Sequence, residues 1–169
     1  SRNGQPEGFK GYCTDVWFTE ATSFIERHKA DPFMCFITPN APHSPYNVDE
    51  KYSSPYKDKV DCEDRQRFYG MITNIDENVA ALMAQLEDWD LLENTIVVFM
   101  TDNGTSCGAT FDEKEHVLEG YNAGLRGKKN SAYDGGHRVP FFLRLPEKMK
   151  REARDVDTIC SFVDFMPTM

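Results

Sequence analysis

The chain has 169 residues and a mass of 19.4 kDa, with 28 Asp and Glu against 19 Lys and Arg, so its formal charge is -9. That balance, with a pI near 4.9, excludes a nucleic-acid binder, which needs surplus cations to meet phosphates. No apolar run approaches the roughly 20 residues of a membrane span, while 40% hydrophobic and 12% aromatic residues suffice for a folded core.

The chain opens on Ser1-Arg2-Asn3-Gly4-Gln5-Pro6, with no initiator Met and no basic-then-apolar leader, and closes on Asp164-Phe165-Met166-Pro167-Thr168-Met169, which reads as the start of a helix. The expectation is an internal segment of a longer protein. Five cysteines (Cys13, Cys35, Cys62, Cys107, Cys160) are odd in number, widely spaced and without a Cys-x-x-Cys pair. This pattern speaks against a thiolate metal centre and a disulfide framework, and Cys35, inside an apolar run, reads as a buried free thiol.

From Thr14 to Lys29, Val16, Trp17, Ala21, Phe24 and Ile25 recur at helical spacing, with Thr14 or Asp15 as cap and Asp31-Pro32 as stop. Phe33-Met34-Cys35-Phe36-Ile37 then reads as a buried strand, ended by the proline-rich Thr38-Pro39-Asn40-Ala41-Pro42-His43-Ser44-Pro45. The segment from Asp61 to Asp88 carries a stripe of Phe68, Ile72, Ile75, Val79, Leu82, Met83 and Leu86, a long amphipathic helix. Ile96-Val97-Val98-Phe99-Met100 predicts a second strand, Val139-Pro140-Phe141-Phe142-Leu143 a third, and Ile159 to Val163 a fourth. Helices alternating with short apolar runs predict an α/β domain whose largely parallel sheet is sandwiched by helices. Ligands of such sheets bind beyond the carboxyl ends of the strands. There lie His43, the pair Asp102-Asn103, and the long glycine-rich stretch from Gly104 to Arg138.

Three segments carry candidate chemistry. Thr101-Asp102-Asn103-Gly104 sets a carboxylate beside an amide oxygen, suited to a hard cation, although Asp-Asn-Gly is equally a turn signal and two oxygens fall short of the 6–8 that calcium takes. His43, held between prolines, can meet an anionic oxygen or pass a proton, or can simply be an exposed loop histidine. Residues 124–140 are basic within an acidic chain, and Lys128 and Lys129 suit an anion site or a solvated loop. The stretch lacks the P-loop spacing, which speaks against nucleotide binding.

Taken together, these segments resemble the sulfatase family, the arylsulfatase-like branch of the alkaline phosphatase superfamily. The resemblance rests on Gly11-Tyr12-Cys13-Thr14-Asp15, Asn40-Ala41-Pro42-His43-Ser44-Pro45, Tyr69-Gly70-Met71-Ile72 with Asp76, and Thr101-Asp102-Asn103-Gly104. It continues through Leu125-Arg126-Gly127 with Lys129, Tyr133-Asp134-Gly135-Gly136-His137-Arg138-Val139-Pro140, and Asp164-Phe165-Met166-Pro167-Thr168. It implies a partial alkaline phosphatase-like fold and a sulfuric ester hydrolase acting on a small sulfate ester or a sulfated glycan. Asp102 and Asn103 would be metal ligands for calcium, with magnesium as the alternative. His43 and Lys129 would be catalytic and sulfate-binding. The family habit implies a periplasmic or secreted setting, lysosomal in a eukaryote.

The chain also departs from the family pattern. The Cys- or Ser-x-Pro-Ser-Arg motif that yields the formylglycine nucleophile is absent, as is the earlier aspartate pair of the metal site; Ser53-Ser54-Pro55-Tyr56-Lys57 reads as a turn. Residues 1–169 are therefore expected to be part of one catalytic domain, without its nucleophile segment and C-terminal subdomain, and inactive alone. The other readings are a phosphoesterase or phosphonate hydrolase of the same superfamily, and a non-catalytic anion- or glycan-binding derivative.

Overall fold

The computed structural model describes residues 3–152, 155, 157, 158 and 161–168. Helix α1, Cys13–His28, buries Thr14, Phe18, Ala21 and Ile25, one stripe at spacings of three and four. The face is turned slightly from the expected one, so Phe18 goes inside and Trp17 stays 43% exposed. Neither Thr14 nor Asp15 caps it. The N-cap position falls to Tyr12, with no side-chain cap, and Asp15 in the first turn complements the helix dipole instead.

After the proline loop, a short helix α2, Glu50–Ser53, starts at Asp49, whose side chain accepts from the Lys51 N–H. It packs on α3, Glu63–Asp88, the 26-residue helix that organises the molecule. The end of α3 follows from its residues. Asp90 adopts φ +57, its N–H donates to the Glu87 carbonyl, and the Leu91 N–H donates to the Leu86 carbonyl, both at 2.9 Å. This pair of bonds satisfies carbonyls that a plain helix end would leave open. Leu91 thus returns to the turn that holds buried Leu86.

The buried face of α3 is Arg65, Phe68, Gly70, Met71, Asn74 and Leu86 rather than the stripe through Ile72 and Ile75. Polar chemistry turned it. Asp15 Oδ1 of α1 accepts from the side-chain amides of Asn74 and Asn78, each at 2.8 Å, so the asparagines occupy the α1–α3 contact and Ile72 is left 43% exposed. Around this polar clasp, burial of Ile25, Phe68, Met71 and Leu86 supplies about 1.5–3 kcal/mol each.

Strand β1, Val97–Met100, is followed by β2, Ala109–Phe111, and β3, Val117–Gly120. A single helical turn, α4, Asp134–His137, leads to β4, Phe141–Arg144, and a last turn, α5, spans Phe165–Thr168. β1 pairs with β4, and β2 with β3 in a hairpin. The α/β character holds, but both pairs among the described residues are antiparallel. The run 33–37, expected as a buried strand, forms no strand, and its alternate residues Met34 and Phe36 stand 78% and 80% exposed. Cys35 is consequently half-buried rather than fully buried, a free thiol that its surroundings push up in pKa through desolvation. Of the strand expected at 159–163, Ile159 and Cys160 lie outside the described residues, and Phe162–Asp164 forms a 3-10 turn.

Candidate functional site

The antiparallel register of β1 and β4 builds the site. Met100 at the end of β1 stands opposite Phe141 at the start of β4, so the segment leaving β1 runs beside the segment entering β4. The first is Thr101-Asp102-Asn103-Gly104 and the second is the Asp134–Pro140 stretch, motifs some thirty residues apart in sequence. The Gly104 N–H donates to the Gly136 carbonyl and the Lys129 N–H to the Thr105 carbonyl, both at 2.9 Å. The Asp102-Asn103 loop and the Lys129 loop are therefore stitched backbone to backbone.

Only glycine permits this stitching. A Cβ on Gly104 would lie 1.7 Å from the Gly135 carbonyl oxygen, and one on Gly135 would lie 2.1 Å from the Gly127 carbonyl oxygen. The Gly135 N–H donates to the Arg126 carbonyl at 2.7 Å, closing the basic loop upon itself. Gly104 thus closes the bend at 102–104 and also permits the close approach of two segments of the chain.

Within this frame Asp102 is exposed and Asn103 half-buried. The Asn103 side-chain NH2 donates to the Gly104 carbonyl at 3.1 Å, which leaves the amide oxygen as the accepting end. Just before them, the Thr101 hydroxyl is buried with no hydrogen-bond partner among the described residues. Oxygen donors of this kind fit a hard cation such as calcium, but they are a partial set. Among the described residues, no group of three His, Cys, Asp or Glu could hold a metal.

Lys129 is half-buried in a loop whose other cations are occupied. The Arg126 guanidinium lies 3.5 Å over the Tyr133 ring, Arg138 pairs with Asp134 at 3.5 Å, and Lys128 Nζ sits 5.6 Å over the Phe111 ring. Lys129 makes no ion pair among the described residues, so its charge is available to an anion.

His43 is exposed at the tip of a turn closed by its own N–H donating to the Asn40 carbonyl at 2.9 Å. Nδ1 lies 2.8 Å from the Ser44 carbonyl oxygen. A carbonyl only accepts, so Nδ1 carries a proton and Nε2 is the nitrogen left for an anionic oxygen. The Cys13 thiol donates to the Asn40 side-chain oxygen at 3.3 Å, tying this loop to the start of α1. Three residues on, Tyr46 stacks edge-on against Phe68, and burial pushes its hydroxyl up in pKa. Tyr46 thus seats the His43 loop on α3. Among the described residues, the side chains of His43, Asp102, Asn103 and Lys129 form no direct hydrogen bond with one another.

Two buttresses went unread in the sequence. Arg65, 3% exposed, pairs with Glu119 on β3 at 3.0 Å, and its Nε donates to the Cys107 carbonyl at 3.3 Å. Its guanidinium hydrogen bonding is incomplete, since Nη1 meets Glu119 at ion-pair distance without hydrogen-bond geometry. One turn on, the Tyr69 hydroxyl donates to the Gly108 carbonyl at 2.6 Å. The available signal was a charge three residues before Phe68, in phase with the buried face of the helix. Two clefts of about 440 and 370 Å³ lie along α3, and neither is lined by His43, Asp102, Asn103 or Lys129. No helix among the described residues is long and apolar enough to cross a membrane.

Known proteins resemble this chain in sequence and in fold. Residues 1–169 match the family model described as Sulfatase. An uncharacterized sulfatase, YdeN, of Escherichia coli (strain K12) is 29% identical over 166 residues, 94% of this chain and 27% of its own length. An arylsulfatase of Hemicentrotus pulcherrimus is 31% identical over 144 residues, 84% of this chain and 23% of its own. The crystal structure of Ps i-CgsB in complex with k-i-k-neocarrahexaose superposes with a TM-score of 0.74 at 28% identity, covering 86% of this chain and 30% of that one. The chain thus spans about a quarter of the length of the curated relatives it matches. With a family match along its whole length and this fold, the chain belongs to the sulfatase family.

Proposed function

We propose that the full-length protein hydrolyses sulfate esters and that this chain supplies part of its metal and sulfate site. The observation that carries the reading is the backbone stitching of the Asp102-Asn103 loop to the Lys129 loop within a chain that matches the sulfatase family throughout. Lys129, unpaired and half-buried, holds the negative charge of the ester sulfate. His43, with its Nδ1 proton engaged by Ser44, directs Nε2 to the bridging oxygen, where an imidazolium would donate a proton as the S–O bond breaks. Asp102 and Asn103 contribute oxygens to a calcium ion, magnesium being the alternative, and the bound cation would neutralise charge on the sulfate oxygens. The formylglycine nucleophile and the remaining ligands would come from parts of the domain outside this sequence, with residues 1–169 one portion of a single catalytic domain.

A glycan-borne sulfate is the favoured substrate class over a small ester, supported by the likeness to a protein crystallised with an oligosaccharide. A periplasmic or secreted setting, or a lysosomal one in a eukaryote, accords with such substrates. The test is Asp102→Ala in the full-length enzyme, which should abolish calcium-dependent turnover of an aryl sulfate. Unchanged activity would overturn the assignment. Assaying aryl sulfate and aryl phosphate side by side separates this reading from a phosphoesterase, and the 169-residue chain alone should turn over neither.

A further inference from the structure

We propose that Glu115, at the tip of the β2–β3 hairpin, is a positioning residue that holds the Lys129 loop in its anion-binding shape. The proposal rests on the sulfate-binding reading of Lys129. Glu115 is a non-glycine residue at φ +63, a left-handed conformation that survives only where surrounding contacts over-determine it. Those contacts lead to the Lys129 loop. Its carbonyl accepts the Gly127 N–H at 2.9 Å, and its carboxylate Oε2 accepts the Ser131 hydroxyl at 2.5 Å. Gly127 and Ser131 lie two residues either side of Lys129, so Glu115 grips both shoulders of the turn that presents the lysine.

Ser131 passes the constraint onward. Its hydroxyl oxygen accepts the Tyr133 N–H at 3.1 Å, and its own N–H donates to the Lys128 carbonyl at 2.8 Å. The hairpin tip that carries Glu115 is itself fixed. Asp112 Oδ1 accepts the Lys114 and His116 N–H groups at 2.8 Å, and the Arg126 Nε donates to the Lys114 carbonyl at 2.8 Å. A carboxylate bonded to a hydroxyl at this short distance is a charge-assisted contact, the stronger kind. Held so, Lys129 meets an anion without first being ordered, and that preorganisation raises affinity.

Glu115→Gly in the full-length protein separates side chain from backbone, because glycine adopts φ +63 freely and keeps the carbonyl bond to Gly127. The probe is inorganic sulfate as a competitive inhibitor of aryl sulfate turnover, read alongside the unfolding midpoint. The expected result is an inhibition constant weakened about tenfold with the midpoint little changed. Ser131→Ala should match it, the double variant should be no worse than either single, and Glu115→Gln, which keeps an acceptor oxygen, should restore most of the affinity. Unchanged sulfate affinity in Glu115→Gly, or a loss that only follows a lowered midpoint, would overturn the proposal. A wild-type protein that neither binds sulfate nor hydrolyses the ester would instead overturn the functional reading, and this proposal with it.

Discussion

Gly104 and Gly135 meet so closely that a Cβ on the first would stand 1.7 Å from the carbonyl oxygen of the second. This contact turns two separate sequence motifs into one site. It follows from strand register: β1 and β4 run antiparallel, so the residues after Met100 and before Phe141 must pass each other. Any side chain at the crossing pushes the oxygen-donor loop off the lysine loop.

Gly104→Ala should accordingly cost about 3 kcal/mol or more, the upper range for inserting a methyl against unyielding backbone. The check is chemical denaturation of the full-length protein, with Gly8→Ala as control. Gly8 has nothing within 4 Å of its added Cβ and no left-handed backbone, so its substitution should be close to neutral.

Asp15 should behave as a buried clasp rather than a helix cap. Asp15→Ala leaves the fully buried Asn74 amide without its acceptor and removes one of the two bonds of the half-buried Asn78 amide, a loss of about 2–4 kcal/mol. Asp15→Asn retains an oxygen acceptor and should cost about 1 kcal/mol, the difference between a charged and a neutral hydrogen bond. Equal losses for the two variants would show that the carboxylate's hydrogen bonds are not what holds α1 to α3.

The hairpin tip should loosen in acid. Asp112 is held below the ordinary carboxylate range, chiefly by the His116 backbone N–H, which outweighs the opposing desolvation, with the Lys114 N–H adding a lesser lowering. A depressed folded-state pKa means stability that is present above the unfolded value near 3.8 and is lost as pH falls through the folded one. Between pH 5 and about 3, the wild-type unfolding midpoint should therefore fall more steeply than that of Asp112→Asn. Parallel curves would rule out this contribution.

Local periodicity and punctuation carried much of the architecture. The two long helices were readable to within two residues at each end, because apolar spacing and Asp31-Pro32 mark them. Their buried faces were less readable. The Asp15 clasp rotates α3 so that Asn74 replaces Ile75 at the contact, and a pairing between residues 59 positions apart leaves no periodic trace. Likewise 33–37 has the composition of a buried strand, but strand formation requires a hydrogen-bonding neighbour, and composition does not say which segment that is.

What the sequence alone determined was chemistry by residue type: an acidic chain with one basic glycine-rich stretch, an oxygen pair after a strand, a histidine held between prolines, and the family those motifs belong to. What only the tertiary structure decided was adjacency. Lys129 reaches the Asp102-Asn103 loop through the Thr105 carbonyl, the Cys13 thiol ties the His43 loop to α1 through Asn40, and Glu115 clasps Ser131. These are non-local backbone and side-chain bonds, set by antiparallel register and by close glycine packing. Neither leaves a mark in the spacing of residues along the chain.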